Sequence, residues 1–201
     1  MANEQTSSPS IEEFAASIAA SLAAANVAPA PPVESAHSLP QLSLRERVRS
    51  RTGSADLLVF RIRRELFGVE LVTVEEALDM PVVHRLPEMP TAMLGVFTLR
   101  GTLVHVFAPE ATLGVGYDDP TTVIVFCGAS DRRVALAIDD VDDVVTVDLR
   151  TARDAPGAAA DGTLLGVVRR GADLIAILEA EAVVNANRML AAAVGAAKEK
   201  E

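Results

Sequence analysis

The sequence predicts a mainly β fold of two small β-barrels packed together, with short helices and a C-terminal helix. Three observations favour this class: apolar residues alternate along short segments, turn residues separate those segments closely, and the middle of the chain is repeated in its second half. Alternation buries one face of a strand, and many short strands with close turns are typical of small barrels or sandwiches. The repeat adds the expectation of two similar bodies with a seam between them.

The repeat preserves an order of apolar positions around an acidic pair. The pair is Glu75 and Glu76 in the first copy and Asp142 and Asp143 in the second. A Leu-Gly-Val segment and an Arg-Gly pair follow in each copy, at an offset of about 65 to 71 residues. The matched apolar positions are Val69, Leu71, Val74, Ala77 and Leu78 in one copy and Leu136, Ile138, Val141, Val144 and Val145 in the other. We expect each copy to build one barrel, with residues 118–120 as the turn between them.

Composition excludes several functions. The net charge of −10 disfavours binding to nucleic acid, and the aromatic content of 3% leaves few platforms on which bases could stack. The single cysteine, Cys127, rules out an internal disulfide and zinc-cluster spacing. No apolar run reaches the roughly 18 residues that a membrane span needs, and the N-terminus does not resemble a signal peptide. We expect a cytoplasmic protein that does not insert into membranes.

Residues 1–53 are predicted to be an N-terminal extension in three parts. Ser10 and Glu13 form a capping-box pattern that starts an amphipathic helix over about residues 10–26. This helix would either fray in isolation or dock through Ile11, Phe14, Ile18 and Leu22. A proline-rich linker over 27–41 follows. Ser43 and Glu46 then repeat the capping-box pattern at the start of a short basic helix over 42–51, which is either a solvated face or a contact with an anionic surface.

The body is assigned to residues 54–190, and its first half contains two predicted hairpins. Leu58, Phe60 and Ile62 alternate before a polar stretch and Val69, which predicts the first hairpin. Val82–Leu86 is predicted as a short strand between two prolines. Strands over 94–98 and 103–107 flank Arg100 and Gly101, where glycine favours a tight turn.

The second half repeats this arrangement. Strands are predicted over 122–127, 133–138, 141–147, 164–168 and 173–178, with a loop over 150–162. A closing helix is predicted from about residue 179 to 197, and residues 191–201 are assigned as a C-terminal tail.

Few residues have the spacing that catalysis or metal binding requires. His37, His84 and His105 are not at metal-ligand spacing. A dyad of Cys127 with His105 is conceivable, but a cysteine in a predicted strand is more often a small core residue. The acidic cluster lacks the spacing of a calcium loop, and a solvated turn is expected over weak cation binding. Its members are Asp139, Asp140, Asp142 and Asp143. We therefore expect no enzyme activity, metal or cofactor.

Arg100 is the most informative single charge. It lies at the end of the apolar segment 94–99, next to a glycine. It is either an ordinary exposed turn residue or an anchor whose planar guanidinium binds a partner's carboxylate or carbonyl groups.

These residues also form a recognisable combination. Phe60, the segments 67–71, 74–76 and 95–101, and later segments over 117–125 and 138–144 resemble the CheW-like domain of bacterial chemotaxis coupling proteins over about residues 55–190. The resemblance implies two five-stranded, SH3-like barrels without catalytic activity. It also implies an adaptor that couples chemoreceptors to a histidine kinase, with the receptor's signalling tip and the kinase's regulatory domain as partners.

The resemblance assigns partner-binding roles residue by residue. Leu71, Val74 and Glu76 match positions that line the groove between the barrels, where the receptor tip packs. Thr98, Arg100 and Gly101 match the family's Asn-Leu-Arg-Gly motif, and Val141 and Val144 match apolar positions of the second barrel. The chain departs from the pattern at Thr98, His105, Ala108 and Pro109. It is expected to be a free-standing, divergent member.

Two other functions stay open from the sequence. One is a divergent two-barrel module that binds a small ligand between its halves or a protein outside chemotaxis. The other is an enzyme that uses Cys127 or the aspartates, which the residues favour least.

Overall fold

The computed structural model describes residues 42–87, 89–127, 133–155 and 162–198. Ten strands dominate this part of the chain, with three α-helices and short 3₁₀ turns at Leu71–Thr73 and Leu149–Thr151. The strands are β1 (Ser54–Ile62), β2 (Glu65–Glu70), β3 (Val74–Asp79), β4 (Met93–Leu99), β5 (Thr102–Phe107), β6 (Thr122–Phe126), β7 (Arg133–Ile138), β8 (Asp140–Asp148), β9 (Leu164–Arg170) and β10 (Asp173–Leu178). The helices are α1 (Leu44–Ser50), α2 (Glu110–Leu113) and α3 (Ala180–Lys198). The mainly β class is confirmed.

The strands form two five-stranded sheets, as the resemblance implies. Sheet 1 has the order β8-β1-β2-β10-β9, and sheet 2 has the order β3-β6-β7-β5-β4. The sheets pack through a shared core to which both contribute, for example Phe60 from sheet 1 and Phe107 and Phe126 from sheet 2. Each sheet also has an apolar cluster of its own. The fold is a pair of SH3-like barrels that are open between their edge strands.

The expectation that each repeat copy builds one barrel is wrong. Sheet 1 combines β1 and β2 of the first copy with β8, β9 and β10 of the second, and sheet 2 has the reciprocal composition. The exchange occurs at Leu71–Thr73, where a 3₁₀ turn directs the chain from β2 into the other sheet. Residues 118–120 consequently do not separate two barrels, because the strands on either side of them belong to the same sheet.

The repeat itself is nevertheless visible in the strand pairing. The two parallel pairs are equivalent: Leu178 lies opposite Val69 in one sheet, and Phe107 lies opposite Leu136 in the other. Parallel neighbours require a crossover, and here each crossover links the two copies. The two copies of the repeat therefore exchange strands, so that each sheet contains strands from both copies.

The predicted strand over Val82–Leu86 is wrong. The segment makes one isolated bridge, from His84 to Val96 of β4, and prolines at both ends limit further pairing. The bridge brings the two segments so close together that only glycine fits at position 95. A Cβ there would lie 2.3 Å from Cγ1 of Val83 and 2.7 Å from the His84 carbonyl oxygen. The second copy repeats the device, with Gly166 against the Arg153 carbonyl.

Helix α1 is part of the core of sheet 1. The capping box predicted at Ser43 and Glu46 is present. Leu44 and Val48 are buried in the apolar cluster of sheet 1, and Arg45 and Arg47 form ion pairs with Glu179 and Glu70. The basic residues thus hold α1 against the sheets. The predicted helix over 10–26, the linker over 27–41 and His37 lie outside the described residues, and α3 extends to Lys198.

Candidate functional site

Most of the predicted partner-binding residues lie on the two edge strands of sheet 2 or in the turns next to those strands. Leu71 is in the 3₁₀ turn that crosses between the sheets, and Val74 and Glu76 are on β3. Thr98 is near the end of β4, and Arg100 and Gly101 form the turn into β5. Strands β3 and β4 are the opposite edges of one sheet, so the fold brings these two parts of the sequence together only if the sheet curves back on itself.

An ion pair demonstrates that curvature. Nη2 of Arg100 lies 3.0 Å from Oε2 of Glu76, across the gap between β4 and β3. Arg100 adopts φ 48° and Gly101 φ 80°, the two positive values of a type I′ hairpin turn. Because Oε2 of Glu76 is buried and accepts no well-aligned hydrogen bond, charge alone holds the two groups together. Arg100 is therefore a weakly held, exposed cation at the edge of the sheet.

The other acid of the pair has its own arginine. A β-bulge in β3 leaves Glu75 without a partner residue on β6, between Val74 and Glu76. Bulges redirect side chains, and Glu75 accepts a hydrogen bond of 2.7 Å from Nε of Arg133 at the start of β7. The acidic pair of the first copy is thus divided between two arginines.

The acidic pair of the second copy also lies on a bulge, and the expectation of a solvated turn there is wrong. Asp142 is the bulge residue of β8, and it binds both Arg61 and Arg170 at 2.7 Å. Arg170 also reaches Asp143 at 2.9 Å. The hydrogen bond from Arg170, followed by that from Arg61, holds the pKa of Asp142 below its usual range. Arginines thus balance the charge of Asp142 and Asp143, two of the four members of the acidic cluster.

The sequence signals the role of Arg170 only in part. The repeat aligns Arg170 and Gly171 with Arg100 and Gly101, but the structural equivalence is shifted by one residue. Arg170 is the last residue of β9, and the turn consists of Gly171 and Ala172. Arg170 therefore projects from a strand and binds two carboxylates, whereas Arg100 projects from a turn and meets one. Arg61 and Arg133 have no counterpart in the repeat and were not predicted.

Val141 and Val144 lie on the other sheet. Both are on β8, the edge of sheet 1. Val141 packs against the shared core, as Val74 does in the first copy, and Val144 is about half exposed. The predicted residues consequently divide into two sets on two sheets, related by the repeat.

The expectation that Cys127 is a small core residue is wrong, and the alternative dyad with His105 is not formed either. Cys127 lies just after β6 and is exposed, so it is not a core residue. Phe126, the neighbour of Cys127 in the chain, and His105 lie on opposite sides of Val134, because β7 separates β6 from β5. Two strand spacings amount to roughly 9–10 Å, too far for a hydrogen-bonded dyad. Among the described residues, no three His, Cys, Asp or Glu side chains are grouped to hold a metal ion.

The described residues thus form two open barrels with a shared apolar core and charged strand edges. The chain belongs to the CheW-like domain family, whose model matches residues 56–188. None of the described helices is long and apolar enough to cross a membrane.

Two curated relatives carry the name chemotaxis protein CheW. The protein of Rhizobium meliloti strain 1021 is 32% identical over 111 residues, which is 54% of this chain and 72% of the relative. That of Klebsiella aerogenes is 28% identical over 149 residues, covering 71% of this chain and 89% of the relative.

A solved structure has the same fold. The crystal structure of the scaffolding protein TtCheW from Thermoanaerobacter tengcongensis superposes with a TM-score of 0.56 at 20% identity, over 63% of this chain and 90% of that one. This likeness establishes the two-barrel architecture for the present chain.

Proposed function

We propose that the protein is a non-enzymatic, cytoplasmic adaptor that couples chemoreceptors to a histidine kinase in a chemosensory or related two-component pathway. Membership of the CheW-like family and the names of its curated relatives support this role. The partners are the signalling tip of a receptor and the regulatory domain of the kinase. The observation that carries the proposal is the unequal bonding of the two arginines that the sequence repeat aligns.

Arg100 is available to a partner, whereas Arg170 is not. The side chain of Arg100 is 69% exposed and has one carboxylate neighbour, while that of Arg170 is 39% exposed and binds two. A guanidinium can bind a carboxylate through two parallel hydrogen bonds, and arginine is enriched among residues that dominate interface energies. A partner carboxylate can therefore compete with Glu76 for Arg100.

Apolar side chains near the same edge supply the second part of the surface. Val72 is 76% exposed and Leu71 is 39% exposed, both in the turn between the sheets. Val74 follows, partly buried against the shared core. Apolar residues beside an arginine are a typical interface composition, so this edge suits a protein partner.

A pull-down with matched arginine variants tests the proposal. The full chain is incubated with a receptor signalling tip and, separately, with a kinase regulatory domain. Arg100→Ala is expected to weaken retention at least tenfold, the effect of about 1.4 kcal/mol and within the range of interface hot spots. Arg150→Ala is the control, because Arg150 is 76% exposed and also has one carboxylate partner, Asp148. Equal retention of both variants would contradict the proposed surface.

Binding of a small ligand between the barrels has less support. The space between the sheets is filled by apolar side chains of the shared core, which include fully buried phenylalanines from both sheets. Charged side chains border the cavity lined by Arg63, Arg64, Asp118 and Asp139 and the one lined by Arg45, Glu179 and Glu181.

A further inference from the structure

Among the described residues, the outer edge of β4 presents main-chain groups that have no hydrogen-bond partner. The N–H and C=O of Val96 both bond outward to His84, at 2.9 and 2.8 Å. Main-chain groups alternate in direction along a strand, so those of Phe97 point toward β5 and those of Thr98 point outward again. No hydrogen bond to the outward N–H or C=O of Thr98 occurs within the described ranges. This is an unpaired strand edge.

The chain beside this edge diverges from it. In the register set by the His84 bridge, Val82 lies opposite Thr98. The two residues do not bond, and Val82 is 78% exposed, while Pro81 next to it has no N–H to donate. From here the segment leads back to β3 on the far edge of the sheet. Arg100 lies beyond this point, and its long side chain reaches Glu76 on β3.

Side chains around the gap form a row with a defined chemistry. Thr98 pairs with Leu103 of β5, so their side chains are on the same face, and Leu103 is 48% exposed. Val82 extends the row on the other side of the gap. Arg100 lies two residues beyond Thr98 and supplies the positive charge. An extended segment in the gap would place an apolar side chain in this row and an acidic side chain at the next position on the same face.

We propose that the edge of β4 at Thr98 accepts an extended, acidic segment of a protein partner by strand addition. The main chain of the segment pairs with Thr98, and its carboxylate binds Arg100 in place of Glu76. Strand addition uses main-chain bonds for affinity and alternate side chains for specificity. The inference rests on the proposed function in that it uses the same surface, and it adds the secondary structure and charge of the partner's segment.

The equivalent edge in sheet 1 lacks these properties. The position of Thr98 is taken there by Arg169, and Arg170 is already bound to Asp142 and Asp143. Arg169 would face the apolar side chain of the segment, and Arg170 is not free to bind its carboxylate. The edge of β9 therefore offers no site for the same segment.

Two substitutions at one residue separate main-chain from side-chain recognition. Thr98→Pro removes the outward N–H at an edge position where proline is tolerated, and Thr98→Val removes only the hydroxyl. Each full-length variant is tested against the receptor tip, the kinase regulatory domain and a capped peptide, Val-Thr-Glu-Thr-Val, in which the valines and the glutamate share one face, with a Gln-for-Glu control peptide. We expect Thr98→Val to bind like wild type, Thr98→Pro to lose binding at least about tenfold, and the Gln peptide to bind more weakly.

Amide exchange on the full wild-type chain supplies a measurement that does not depend on how the proline variant folds. The Thr98 N–H is expected to exchange about tenfold or more slowly when a retained domain or the peptide is bound. Unchanged exchange at saturation, or equal binding by the Pro and Val variants, overturns strand addition. If Arg100→Ala weakens retention of the domains while Thr98→Pro does not, the adaptor function stands and the strand inference fails. If neither domain is retained, the adaptor function fails and the peptide decides the strand inference.

Discussion

Arg100 and Glu76 are joined at 3.0 Å although their strands, β4 and β3, are opposite edges of the same sheet and share no backbone ladder. The second copy has a comparable connection, from Arg170 at the end of β9 to Asp142 and Asp143 on β8, which are again opposite edges of one sheet. Each open barrel is thus bridged across its gap by an arginine, which contacts one acid of the pair in the first copy and both acids in the second. The two connections differ in strength, because Arg100 forms one ion pair and Arg170 forms two.

The two arginines are expected to differ in their contribution to stability. Arg100→Ala should lower the free energy of unfolding by less than about 1 kcal/mol, because a mostly exposed ion pair contributes little. Arg170→Ala should cost more, about 1 to 2 kcal/mol, because it breaks two ion pairs within a network that includes Arg61. Urea unfolding of both variants at neutral pH measures the difference. A larger loss for Arg100→Ala would show that its pair is mainly structural.

Asp142 should make the fold sensitive to acid. Its pKa is lowered in the folded state by hydrogen bonds from Arg170 and then Arg61, so the folded protein binds fewer protons at this site than the unfolded chain. The stabilisation is present above the ordinary carboxyl range and is lost as the pH falls through the lowered pKa. Urea unfolding between about pH 7 and pH 3 should show a shallower acid dependence for Asp142→Asn than for wild type. Identical slopes would contradict the assignment.

Glu179 should behave in the opposite way. Burial raises its pKa, the nearby carboxylates Glu181 and Glu70 act in the same direction, and Arg45 only partly opposes them. The folded state therefore binds the proton more readily, and the stability from this group is present at low pH and lost as the pH rises through the raised pKa.

Glu179→Gln is accordingly expected to be neutral or stabilising at pH 7, although it removes the contact with Arg45 at 3.4 Å. The stability of wild type relative to the variant should also fall as the pH rises from about 4 to 7, because only wild type carries the raised pKa of Glu179. Thermal unfolding across this pH range checks both statements. A clear loss of stability at pH 7 would instead make the Arg45 pair the dominant interaction.

Helix α1 is expected to contribute to the stability of the folded body. Leu44 is 4% exposed and belongs to the core of sheet 1, so Leu44→Ala should cost about 2 kcal/mol by leaving a cavity. Arg49→Ala, an exposed change on the same helix, should have almost no effect. Urea unfolding compares the two. Equal small effects would mean that α1 can detach from the sheets without cost.

Local features of the sequence predicted most of the strands and turns correctly. Alternating apolar residues indicate β1, β2 and the paired strands β6 and β7, and the Arg100-Gly101 turn indicates the hairpin of β4 and β5. The capping box at Ser43 likewise predicts the start of α1. These features are correct because each depends on residues a few positions apart, whose main-chain preferences and side-chain periodicity act before any long-range contact forms.

The partners of those elements could not be predicted in the same way. A repeat indicates that two units are alike. It does not indicate that the chain crosses to the other sheet between β2 and β3 and again between β7 and β8, or that bulges turn Glu75 and Asp142 toward Arg133 and Arg61. The unpaired edge at Thr98 was also unpredictable, because it exists only where the chain after β3 separates from β4. Such relationships join residues far apart in the chain, so they follow from how the two sheets share one core and not from local propensity.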